Sequence, residues 1–262
     1  MFNIKTQSGI SWHYQQAEEG KNTLLFIHGW SFDSNIWINQ WDLKNEYRII
    51  TLDLPGHGFS RYNKNIDIIE ELHHRFGMGN LTIIGHSLGG FLALQLSQVY
   101  PDLVKNLILI SSPVKFIKSK DYDFGLSKEE VEKLRKFITE NYPGYLLIFM
   151  RWLFTDAERK QDNFKQIWHN LEKREVWPSK EALQSYLSFI EEGDLRSGLE
   201  KVKADVLIIG GDKDPICPLN SLYYLSEKIK GSKVEFFKDC GHLPFLTHPE
   251  RFNKLVKEFL DK

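Results

Sequence analysis

Short apolar runs that end in Gly, Asp or Ser recur along the chain: TLLFIHG (23–29), YRIITLDLPG (47–56), LTIIGHS (81–87), LVKNLILISS (103–112) and DVLIIGG (205–211). Strands covered on both faces by helices read this way, because neither face needs polar residues. SKVEFFKDC (232–240) predicts a further strand. ISWHYQQ (10–16) alternates apolar and polar positions, which suits an antiparallel edge. Helical spacing predicts helices at 66–77, 88–100, 218–231 and 248–262. Strand and helix alternate, so the expected class is α/β with a mostly parallel sheet.

Residues 113–194 break the alternation. They hold helical patterns rich in large apolar residues (EEVEKLRKFITE, YLLIFMRWLF, FKQIWHNLEK, KEALQSYLSFIEE) and no clear strand. That is too long for a loop between two core strands. The expected organisation is a core of 1–112 and 195–262, with 113–194 as a helical cap over the carboxyl edge of the sheet.

Composition adds little. The chain has 262 residues, 42% hydrophobic and 26% charged, with a formal net charge of -1. That is an ordinary globular balance, and no global charge points to nucleic acid or to a cationic partner. No run reaches the roughly 18 apolar residues of a membrane span, and the N-terminal residues lack the apolar core of a signal peptide. A soluble, cytoplasmic, monomeric protein is expected. Two cysteines, Cys217 and Cys240, are too few for a disulfide scaffold. They flank two loops of interest and could approach each other, but a reducing compartment disfavours a bond.

The chemistry centres on Gly85-His86-Ser87-Leu88-Gly89. At a strand-to-helix junction, G-x-S-x-G demands a sharp turn that exposes the serine hydroxyl, and the flanking glycines leave room for it. Ser87 could instead merely cap the helix. A serine hydroxyl needs a base, and the base an orienting acid. Both follow in order after later strands: Asp212 or Asp214 in GGDKDPICP, then His242 in KDCGHLPF. Asp214 lies further out on the loop and is preferred, while Asp212 suits a turn cap. All three groups fall at strand carboxyl ends, where α/β sheets bind ligands.

The oxyanion of an acyl-transfer intermediate needs backbone donors. The N–H of Leu88 and that of Trp30, in the loop after LLFIHG, are the candidates, and the Trp30 indole could also wall an acyl pocket. Of the remaining histidines, His28 is expected to hydrogen-bond to backbone beneath the site, His57 to lie in a turn, His86 to shape the pocket, and His73 and His74 to be solvated. No spacing suggests a metal site, and no cofactor is expected.

In order along the chain, HGW, DLPGHGFS, GHSLGG, GDKDPICP and CGHLPF resemble the α/β-hydrolase family. Within it, LFIHGWSFDSNIW, GDLRSGLEKVKADVLIIGGDKDPICP and GHLPFLTHPERF are similar to the pimeloyl-acyl-carrier-protein methyl ester esterases of biotin synthesis. This resemblance implies hydrolysis of a methyl or short-alcohol ester through an acyl-enzyme. Ser87, Asp214 and His242 would form the triad, and Trp30 and Leu88 the oxyanion hole. The acyl chain would lie under a cap that supplies Phe149 and Trp152, and an acyl carrier protein would be a partner. The chain departs from those esterases at His86, where they usually have Trp. It also lacks arginines in NYPGYLLIFM, so Arg151 and Arg159 are the candidates for contacting a carrier. Three other readings stand beside this one: a general short-chain carboxylesterase, a carbon–carbon bond hydrolase or menaquinone-pathway lyase on the same triad, and a non-catalytic ligand binder. Dehalogenase and epoxide hydrolase chemistry is disfavoured, because those enzymes carry Asp at the elbow.

Overall fold

A computed structural model describes residues 3–7, 9–14, 22–77 and 80–261. Its centre is an eight-stranded sheet of β1 (Asn3–Gln7), β2 (Ile10–Tyr14), β3 (Thr23–Ile27), β4 (Arg48–Asp53), β5 (Leu81–His86), β6 (Val104–Ile110), β7 (Asp205–Gly211) and β8 (Lys233–Phe237), in the order β1-β2-β4-β3-β5-β6-β7-β8. From β4 to β8 every pairing is parallel, whereas β1–β2 and β2–β4 are antiparallel. The expected antiparallel strand at 10–16 is β2, but β1 lies outside it, so β2 is not the edge. Gln15 and Gln16 lie outside the described residues.

Strand order explains where a site can form. After β3 the chain moves to β4 on one side, and after β5 it moves to β6 on the other. The loops leaving β3 and β5 therefore part, and a crevice opens between their carboxyl ends. The central strands are buried along almost their whole length, as their unbroken apolar runs require. Helices close both faces: α1 (Ile68–Phe76), α2 (Leu88–Val99) and, later in the chain, α7 (Leu219–Lys228), α8 (Pro244–Thr247) and α9 (Pro249–Leu260). Predicted boundaries shift where a cap intervenes. Asp67 accepts from the N–H groups of Ile69 and Glu70, so α1 begins at Ile68, two residues later than predicted, and Gly77 ends it. The stretch Ser34–Asn45, outside the expected elements, winds into 3-10 turns that bury Ile36, Trp37 and Leu43.

Between β6 and β7 the chain carries α3 (Lys128–Asn141), α4 (Gly144–Trp152), α5 (Phe164–Glu172) and α6 (Lys180–Glu192). Ser127 and Glu130 form a capping box on α3, and Ser179 caps α6. Their apolar residues, among them Ile138, Leu146, Met150 and Leu187, join one continuous core with the sheet residues. Cys217 and Cys240 are free and buried. No helix among the described residues is long and apolar enough to cross a membrane.

Candidate active site

Ser87 joins β5 to α2 with φ 52° and ψ -116°, a backbone conformation costly for a side chain with Cβ. The surroundings enforce it. Ser87 N–H donates to the Ile110 carbonyl at 2.8 Å, and the Ser112 hydroxyl donates to the Ser87 carbonyl at 2.9 Å. The glycines serve close approach. A Cβ on Gly89 would stand 2.2 Å from the Ile27 carbonyl oxygen, and one on Gly85 would stand 2.5 Å from the Gly90 Cα. Helix α2 can thus begin directly against the end of β3. Leu88 is its first residue, so its N–H has no partner within the helix.

His242 lies in the loop after β8, and its Nδ1 is 2.8 Å and 2.9 Å from the two carboxylate oxygens of Asp214. The Asp214 Oδ1 also accepts from the N–H groups of Ile216 (2.8 Å) and Cys217 (2.9 Å), which fixes the carboxylate in its own turn. Asp212 is engaged differently, accepting from the N–H of Cys240 at 3.3 Å. Asp214 thus meets the imidazole, and Asp212 braces the neighbouring turn. With Nδ1–H donating to Asp214, the His242 Nε2 is the atom left to act as a base. Ser87 and His242 border the same cavity of about 30 Å³, room for about one water. Trp30, Leu88, Phe116, Phe149 and Leu187 also line it.

The loop after β3 is tied down beneath this cavity. His28 Nδ1–H donates to the Gly29 carbonyl at 2.8 Å, while its Nε2 accepts from the N–H of Leu54 at 2.9 Å. Burial lowers the His28 pKa, which keeps the ring neutral and able to do both. Because Gly29 C=O and Trp30 N–H belong to one peptide plane, His28 orients the Trp30 donor. The Trp30 indole donates to the Leu183 carbonyl of α6 at 3.0 Å, and the Arg174 guanidinium to the Ser31 carbonyl at 2.7 Å. His86 donates from Nε2 to the His242 carbonyl at 3.0 Å, and its pKa is held well below the usual value by burial.

A model of the family described as alpha/beta hydrolase fold matches residues 22–249. The chain belongs to this family. Among curated relatives of this hydrolase is the pimeloyl-[acyl-carrier protein] methyl ester esterase of Wigglesworthia glossinidia brevipalpis, 30% identical over 258 residues (93% of this chain, 95% of that protein). The enzyme of the same name from Nitrosomonas europaea is 27% identical over 244 residues (92% and 96%). Among solved structures, an esterase from Exiguobacterium antarcticum superposes with a TM-score of 0.86 at 28% identity, covering 100% of this chain and 99% of that one.

The hydrolase's expected substrate-contacting residues divide. Trp30 and Phe149 border the cavity and meet edge to face, 5.2 Å between ring centroids. Trp152, Arg151 and Arg159 do not border it. Trp152 is 46% exposed. Arg151 is exposed and lies over the rings of Phe164 and Trp168. Arg159 turns inward to the carbonyls of Arg151 and Phe154 and to Asp156. Of the histidines expected to be solvated, His74 is exposed, but His73 is half-buried and stacks on Tyr100 at 3.7 Å. Among the described residues two groups have metal-ligand spacing, Glu70–His73–His74 and Glu158–Cys240–His248, and neither borders the cavity. Sequence reasoning missed Arg174 and Glu158. Both fall outside the predicted helices, Arg174 just after α5 and Glu158 in a single 3-10 turn (Glu158–Lys160), and only the fold gives them backbone and loop partners.

Proposed function

We propose that this α/β hydrolase is a serine carboxylesterase acting through an acyl-enzyme, on an ester of the pimeloyl-[acyl-carrier protein] methyl ester type. One observation carries the chemistry: a serine held at positive φ shares a small cavity with a histidine whose far nitrogen is fixed by a buried carboxylate. His242 Nε2 takes the Ser87 proton as Oγ attacks the ester carbonyl. Asp214 stabilises the imidazolium, and the N–H groups of Leu88 and Trp30 receive the oxyanion. His242 returns the proton to the departing alkoxide, and the alcohol leaves. Water, deprotonated by the same nitrogen, then attacks the acyl-enzyme, and the acid is released with Ser87 restored.

The relatives' names support an acyl group carried as a methyl ester on a carrier protein. The lining supports an apolar acyl segment, since Phe116, Leu126, Phe149, Leu187 and Ile190 surround the space above Ser87. Helices α3–α6 act as a cap whose side chains must move apart to admit it. A carbon–carbon hydrolase or lyase would hold polar or cationic groups for a substrate carboxylate; neither arginine nor lysine lines this cavity, whose lining beyond His86, Ser87 and His242 is apolar, which favours the ester reading. With Arg151 and Arg159 off the cavity, any contribution from them is to the carrier's acidic surface. A cytoplasmic location goes with this reading.

The test compares hydrolysis of pimeloyl-carrier methyl ester with that of p-nitrophenyl acetate and butyrate, using Ser87→Ala as control. Preference for the carrier ester, lost in Ser87→Ala, is expected. Turnover of the small esters alone would reduce the reading to a general carboxylesterase. Unchanged turnover in Ser87→Ala would refute the triad.

A further inference from the structure

Glu158 is fully buried and takes no part in the chemistry above. No lysine or arginine pairs with it among the described residues. A buried carboxylate without a cation persists only where donors converge on both oxygens. Here Oε2 accepts from the N–H groups of Thr155 (2.8 Å) and Gly241 (2.9 Å). Oε1 accepts from the Thr247 hydroxyl (2.7 Å) and the Cys240 thiol (3.0 Å). Burial, reinforced by Glu158 itself, raises the Cys240 pKa and keeps that thiol a donor. With its proton on Glu158, the Thr247 oxygen accepts from His248 Nδ1 at 2.9 Å.

Apart from Thr155, these donors all belong to the segment around His242. Two more bonds from the same turn reach it: Thr155 Oγ1 donates to the Asp239 carbonyl at 2.9 Å, and the N–H of His242 donates to the Leu153 carbonyl at 2.9 Å. Gly241 is glycine because a Cβ would stand 2.2 Å from that Leu153 oxygen. The peptide before His242 is thus pinned by Leu153, the one before that by Glu158, and the carbonyl after it by His86. Simple attachment of α4 to the core would need only apolar contact. A buried carboxyl group whose oxygens accept from the loop's N–H, S–H and O–H groups does something an apolar residue cannot, which is to fix the loop's position and direction.

We propose that Glu158 is a positioning residue, which holds the 240–247 segment so that the His242 imidazole stands between Asp214 and Ser87. The proposal rests on His242 being the base. Displacement of a catalytic group by about 1 Å costs on the order of a hundredfold in rate, so loosening this anchor should act on kcat and leave KM unmoved.

The experiment measures kcat per active site for the full chain, with sites counted by the stoichiometric p-nitrophenolate burst from diethyl p-nitrophenyl phosphate. Glu158→Gln keeps the volume but replaces one acceptor oxygen with a donor. Its kcat per titrated site should fall about ten- to a hundredfold with KM unchanged. Thr247→Val removes a single donor and should give a smaller loss, about fivefold, the worth of one hydrogen bond. Ile138→Ala, a cavity on α3 away from the loop, lowers the melting temperature without touching the anchor and should keep its kcat per site. Wild-type kcat per site in Glu158→Gln and Thr247→Val, or a loss no greater than that of Ile138→Ala at matched melting temperature, would overturn the proposal. Thr247→Val decides alone if Glu158→Gln fails to fold. Absence of any burst in the wild type would instead refute the serine-hydrolase reading.

Discussion

Replacing His28 by Ala tests whether the Trp30 N–H, the second oxyanion donor of the proposed mechanism, is held from beneath. The ring bridges the Gly29 carbonyl at 2.8 Å and the Leu54 N–H at 2.9 Å. Without it, Leu54 N–H is left in a buried setting with no acceptor, at about 1–3 kcal/mol, and a ring-sized void adds to that cost. The peptide between Gly29 and Trp30 keeps only the 3.3 Å bond from the N–H of Phe32 to the Gly29 oxygen. Complete loss of one oxyanion donor costs about 10²–10³ in kcat, or about 2.7–4 kcal/mol. Because the Phe32 bond survives, the expected loss is about ten- to a hundredfold. Steady-state hydrolysis of p-nitrophenyl butyrate, corrected for titratable sites, gives this number. Burial keeps His28 neutral, so the pH–rate profile of the variant should keep its shape while the whole curve drops. An unchanged kcat would refute the orienting role. Loss of a limb of the profile would mean that His28 moves a proton and that its bonds to Gly29 and Leu54 have been misread.

Three further outcomes follow from the same geometry. Asp214→Asn should lower kcat by about 10⁴, because an amide no longer fixes the His242 tautomer, whereas Asp212→Asn, which alters only a 3.3 Å bond to Cys240, should stay close to wild type in the same assay. Gly89→Ala pushes a methyl group into backbone that cannot give way, 2.2 Å from the Ile27 oxygen; urea unfolding should show a loss of about 1–3 kcal/mol or more. Burial lowers the pKa of His57 to about 3, so the folded state resists a proton that the unfolded chain accepts below about pH 6.5. His57 therefore stabilises the fold fully above that pH. As pH falls from there toward about 3, it should cost about 1.4 kcal/mol per unit, a contribution that urea midpoints across the window would reveal as a correspondingly shallower slope in His57→Gln than in wild type.

Much of the core was legible because its signals are local. An unbroken run such as LTIIGHS is a buried strand on either side of any fold, and the order Ser87, Asp214, His242 lies at strand ends whatever the loops do. Preference for Asp214 over Asp212 rested on distance from the strand end, and the hydrogen bonds divide the two aspartates the same way. Other features depend on partners that sequence spacing does not announce. Residues 34–45 bury Trp37 and Leu43 through 3-10 turns with no regular period. Strand β1 displaces β2 from the edge through pairing alone. Arg151 and Arg159 looked equivalent as cationic cap residues, yet one lies over two aromatic rings and the other is consumed by backbone carbonyls and Asp156.

The inserted helices are where this limit matters most for chemistry. Sequence presents 113–194 as a separable helical block. In the fold, its backbone and side chains reach both loops that flank Ser87. Leu183 and Arg174 hold the loop of Trp30, and Leu153 and Glu158 hold the loop of His242. The cavity between them has room for about one water, so in the proposed reaction the helices or their side chains must shift to admit an acyl chain. Any shift strains the bonds that hold the loops of Trp30 and His242, the oxyanion donor and base of the proposed mechanism. Substrate admission and assembly of the site are therefore coupled through the same contacts, and a bound acyl group that lets the helices settle back is also one that restores the geometry needed to cleave it. Substrates too short to reach the helices gain nothing from that coupling. Part of the selectivity of this hydrolase should thus reside in kcat, set by residues such as Arg174 and Glu158 that do not line the cavity.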